Sequence, residues 1–133
     1  MRHESNINSL LRNTEIACAF ERWLREDGDT LVDAAELLGG SAWSRRAIAV
    51  VDCARNAGDL HARRRDLARL ARLLRLELAD EPWRPEAIRF AALHPDDPRA
   101  EAAMYCADAV SRGSRALEAL RLAGLPAHGE ERQ

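Results

Sequence analysis

"HARRRDLARLARLLRLELAD" (residues 61–80) decides how the rest of the chain is read. At about 100° per residue, Leu60, Leu67, Leu70, Ala71, Leu74 and Leu78 gather on one side of a helical wheel. Arg64, Arg65, Arg69, Arg72 and Arg75 take the opposite arc, with His61 among them. The division predicts an amphipathic helix opened by Asp59 and running to about Ala79, its leucines inward and its guanidinium groups in solvent. Arg63 departs from the pattern by falling on the leucine side, where it either snorkels or pairs with a buried carboxylate.

The same stretch polarises the chain electrically. Residues 1–54 carry a formal charge of −3, residues 55–75 carry +5 and residues 76–133 carry −4, within a total of −2. Two readings follow. The arginine face binds an acidic protein surface or the phosphates of a nucleic acid, because guanidinium groups match both geometries. Alternatively, it is solvated or paired internally with the acidic flanks. No aromatic residue interleaves with these arginines to stack on bases, which weighs against single-stranded nucleic acid.

Outward from this segment, strand signals are nearly missing and helix punctuation is dense, so the expected fold is all-α. Ser5 or Asn6 caps a first helix that ends at Asp27-Gly28-Asp29. Its apolar residues form two sets, Ile7, Leu10, Leu11 and Cys18 against Ile16, Phe20, Trp23 and Leu24, so it either breaks near Asn13 or packs on two sides. Thr30 caps a short helix to Leu38, and Gly39-Gly40 ends it. Ser41 caps the next, with Trp43, Ala47, Val50, Val51, Ala54 and Ala57 inward, which runs to Ala57 before Gly58. Pro85 opens a helix to about His94, Asp97-Pro98 opens another to about Arg112, and Gly113-Ser114 breaks the pattern before a last helix ending at Gly124. The expectation is a single-domain bundle or stack of antiparallel helical hairpins, six to eight helices over residues 1–124, with a flexible tail at 125–133.

Length and composition agree. A chain of 133 residues, 47% apolar and 32% charged with both signs interspersed, is long enough for its own core and too apolar for general disorder. No apolar run reaches the roughly 18 residues of a membrane span and no export signal is read at the start, so a cytoplasmic protein without membrane association is expected. Cys18, Cys53 and Cys106 are widely spaced, without CxxC or a histidine neighbour, and are expected as reduced core residues.

A second nucleic-acid element is conceivable at residues 30–50, "TLVDAAELLGGSAWSRRAIAV". It resembles a helix-turn-helix, with Ser41, Arg45 and Arg46 on the helix that would enter the groove. It departs from that pattern at Gly40 and Arg45, where apolar residues belong. Phosphate-binding glycine loops, GxSxG and HExxH are absent, and His3, His61, His94 and His128 are scattered. No catalytic residue, cofactor or metal is therefore expected. His94 beside Asp96 and Asp97 reads as a turn histidine. Trp83, bracketed by Pro82 and Pro85, is either a partner-contact anchor or a lid over one end of the core, and Trp23 is a contact residue for a partner or a second copy. These features together predict a non-enzymatic protein-interaction or adaptor module whose partner is another protein or, as a homodimer, a second copy of the chain, with nucleic-acid binding as the alternative.

Overall fold

The computed structural model describes residues 2–75 and 81–127, with side chains from residue 7 onward. Among the described residues the chain is all-α, with no strand. It forms five α-helices and one 3-10 turn: α1 (Arg2–Gly39), α2 (Ser41–Arg55), the turn Leu60–Arg63, α3 (Arg64–Leu74), α4 (Pro85–Ala91) and α5 (Pro98–Leu122). Five helices, rather than six to eight, result because two expected breaks are not breaks.

The first is at Asp27-Gly28-Asp29. Only Asp27 leaves the helical region, at φ −119° and ψ 17°, and the chain resumes as helix through Gly39. Gly28 serves a contact: a Cβ there would lie 2.5 Å from Cγ1 of Val51 in α2. The kink re-aims the apolar stripe, so that Ala17, Phe20 and Leu24 are buried before it and Leu31, Ala34, Ala35 and Leu38 after it. No break occurs near Asn13, where Thr14 Oγ1 donates back to the Leu10 carbonyl at 2.9 Å. Ser5, Asn6 and Thr30 are residues within α1 and not its caps.

The second is at Gly113-Ser114. Gly113 is buried in the middle of the 25-residue α5, and a Cβ there would overlap the ring of Phe20. The glycine lets α1 and α5 approach closely. Cys106 and Val110 on one side of it and Leu117 and Leu120 on the other join the same core.

Between α1 and α2 stands a single residue, Gly40, at φ 86°. Ser41 is therefore the first helical residue and makes no side-chain cap. Ala47, Val50, Val51 and Ala54 of α2 are buried as expected, while Ala57 is exposed at φ 57°. Its amide donates to Ala54 O (3.4 Å) and that of Gly58 to Cys53 O (2.7 Å), closing the end of α2.

Asp59 caps the next turn, its Oδ1 accepting from His61 N at 2.9 Å. The expected long helix is divided here into a 3-10 turn and an 11-residue α3, and Arg75 is extended. Leu60, Leu67, Leu70, Leu73 and Leu74 are buried. Leu78 and Ala79 lie outside the described residues. Pro85 and Asp97-Pro98 open α4 and α5 as expected, although α4 ends at Ala91.

Two arginines near or on α4 satisfy helix-end carbonyls. Arg84 Nη2 donates to Arg72 O at 3.1 Å, and Arg89 Nη1 donates to Leu38 O at 2.7 Å. After α5, within the expected flexible tail of residues 125–133, Leu125 N donates to Leu120 O at 2.8 Å and Ala127 is buried. Residues 128–133, the remainder of that tail, lie outside the described residues. None of the described helices is long and apolar enough to cross a membrane.

Candidate interaction surface

Burial of five leucines on one side of the turn and α3 leaves Arg64, Arg65, Arg69, Arg72 and Arg75 exposed on the other. Among the described residues, no carboxylate oxygen lies within ion-pair distance of these five side chains. Several guanidinium groups elsewhere are engaged. Arg25 meets the buried Glu21 at 2.7 Å, Arg55 meets Asp29 at 3.4 Å, and Arg121 grips Glu118 through Nη2 (2.5 Å) and Nε (3.1 Å). Arg84 pairs with both Glu81 and Glu86. Arg64 is the partial exception on α3. The Glu118 carboxyl is held below its usual range mainly by its bonds to Arg121, with Arg64 and then His61 adding smaller attractions.

Arg63, read as snorkelling or pairing with a buried carboxylate, pairs with the half-buried Asp66. Its Nη1 lies 3.7 Å from Asp66 Oδ2, and its charge opposes the effect of burial, which pushes the Cys53 thiol up. Cys18, Cys53 and Cys106 are all free thiols, with Cys106 in the core. Burial, with a smaller contribution from Asp27, pushes the Cys106 thiol up to about 11.

The arginine row borders a cleft of about 880 Å³ between α3 and α5. Ala71, Arg72 and Arg75 form one wall, and Met104, Ala107, Asp108, Ser111 and Arg115 form the other. The α5 residues were not singled out in the sequence. Their signal was helical spacing alone, since 104, 107, 108, 111 and 115 share one face. Among the described residues, Arg115 is held by two 3.4 Å bonds to the carbonyl and hydroxyl of Ser111 on its own helix.

Trp23 lies in a separate groove of about 380 Å³ between α1 and α5, floored by Phe20 and bordered by Tyr105. Its ring stacks on Phe20 at 6.0 Å and meets Tyr105 at 6.3 Å. Asp108 lines both this groove and the cationic cleft, so the two adjoin along α5. Trp83 lines neither. At 68% exposure it does not cover the core, which removes the lid reading.

At residues 30–50, Ser41 and Arg45 are exposed, whereas Arg46 is drawn inward. Its guanidinium lies 5.0 Å from the Trp43 ring centroid and its Nη1 4.0 Å from Asp66 Oδ1. The one-residue connection at Gly40 is shorter than the roughly three- to four-residue turn of a helix-turn-helix. His94 is a turn residue: its Nδ1 accepts from Asp96 N at 3.1 Å. Among the described residues no group of three or more His, Cys, Asp or Glu could hold a metal ion.

Comparison with known proteins finds no matching family model, no matching curated protein and no matching solved structure.

Proposed function

We propose that this chain is a non-enzymatic protein-interaction or adaptor module, acting in the cytoplasm, whose docking surface is the arginine face of α3. In this reading residues 1–124 act as one unit built of helical hairpins, and the partner is an acidic protein surface or a second copy presenting its own acidic segments. The observation that carries the reading is the row Arg65, Arg69, Arg72 and Arg75 on one helix face with no carboxylate in ion-pair range among the described residues, while Arg25, Arg55, Arg84, Arg99 and Arg121 meet carboxylates elsewhere. Cations held along one helix face without a carboxylate partner among the described residues favour encounter with an acidic surface. Trp83, exposed in its proline bracket, and Trp23 in the adjoining groove are secondary contact residues of this reading.

Nucleic acid is the second reading, supported by the same row, with Arg45 and Ser41 as the exposed part of the 30–50 element. The two are separated by titrating the chain with a fluorescein-labelled polyglutamate peptide and with a labelled DNA duplex across a salt series. The expected result is peptide binding that exceeds duplex binding at physiological salt and is lost in the R65E/R69E/R72E variant. Stronger duplex binding, with a log–log salt slope of about −4.5 for some five neutralised phosphates, transfers the face to nucleic acid. No binding of either probe at low salt removes the face altogether. Sedimentation of the chain alone tests the second-copy partner.

A further inference from the structure

The cleft beside the arginine row differs from the row itself in one respect: it has an apolar floor. Ala71 and Ala107 sit between the helices and Met104 is 57% exposed at its edge. Arg72 and Arg75 stand on one wall and Arg115 on the other, so that three guanidinium groups surround an apolar strip, against one carboxylate, that of Asp108, among the described lining residues. That carboxylate is turned toward Arg112, with 3.7 Å between Oδ2 and Nη1. A purely ionic ligand would leave the floor wet, and a purely apolar one would strip water from three cations without replacing it.

We propose that the α3–α5 cleft is a peptide site for a segment in which acidic residues alternate with aliphatic ones. Its aliphatic side chains cover Ala71, Ala107 and Met104, and its carboxylates reach Arg72, Arg75 and Arg115. This rests on the docking role of the arginine face and names the chemistry of the partner. A volume of about 880 Å³ accommodates several side chains. Arg115, whose bonds to Ser111 are long at 3.4 Å, reorients toward a ligand carboxylate at little cost.

The test compares two fluorescein-labelled peptides of equal length and charge, one alternating glutamate with leucine and one alternating glutamate with serine. The expected result is at least about tenfold tighter binding of the leucine peptide, equivalent to about 1.4 kcal/mol. M104E should reduce that preference to near unity. R72E/R115E should weaken both peptides. Circular dichroism and urea midpoints establish that each variant is folded, and M104S replaces M104E if the latter is not. Equal affinity for the two peptides overturns the cleft proposal while leaving the arginine face intact. So does a preference unchanged by both M104E and M104S. Failure of both peptides to bind overturns the cleft and the face together.

Discussion

The ring of Phe20 occupies the space that a side chain at Gly113 would need, so α1 and α5 meet at a contact only glycine permits. Gly113→Ala is expected to destabilise the protein by about 1–3 kcal/mol, because overpacking outweighs the gain in helix propensity. In a Phe20→Ala background the overlap is gone, and the same substitution should become neutral or stabilising by up to about 1 kcal/mol. Urea denaturation of the four proteins of this cycle checks it. An additive cycle would mean that the two helices do not meet there.

The ends of α2 and α5 close with the same pair of backbone bonds, but α5 places Gly124 in the left-handed region at φ 73°, whereas α2 places Ala57 there at φ 57°. An alanine in that region costs about 1–2 kcal/mol, and glycine gives back part of this through its freer unfolded chain. Ala57→Gly should therefore stabilise by about 0.5–1 kcal/mol, and Gly124→Ala should destabilise by a similar or larger amount. Thermal melts of the two variants should move in opposite directions.

Charge reversal separates arginines that hold the fold from those that do not. R65E, R69E and R72E remove exposed side chains without ion pairs among the described residues, and each should change stability by no more than about 0.5 kcal/mol. Arg84 is only 13% exposed in its side chain and ties Glu81, Glu86 and the Arg72 carbonyl together. R84A should cost about 1–3 kcal/mol, read as a shift of the urea midpoint.

Cys106 should be silent toward iodoacetamide at pH 8 in the folded protein, since burial closes access and raises its thiol to about 11. Half-buried Cys18 and Cys53 should be alkylated first, and Cys106 only on unfolding, as mass spectrometry of tryptic peptides will show. Because the folded thiol holds its proton to higher pH than the unfolded one, its contribution to stability is complete below about pH 9. It declines as pH rises toward 11. Cys106→Ala should remove that part of the pH dependence.

Helix by helix, the sequence was informative where the cause was local. Leucine and arginine separate around α3 because their spacing matches the helical period. Pro85 and Asp97-Pro98 open helices because φ and the missing amide donor suit a first turn. The glycines at 28 and 113 misled for a physical reason. A glycine read alone lowers helix propensity, yet both persist within helices because Val51 and Phe20 from other helices require the space. The α5 wall of the cleft went unread because Met104, Ser111 and Arg115 bear no motif and gain meaning only beside Arg72 and Arg75.

Sequence alone thus determined an all-helical chain with a segregated cationic face, since periodicity and charge are properties of one helix at a time. Which arginines meet carboxylates, where helices continue through glycine, and that an apolar strip lies between Arg72 and Arg115 were decided by tertiary structure. Each depends on what a neighbouring helix, distant along the chain, places against the residue.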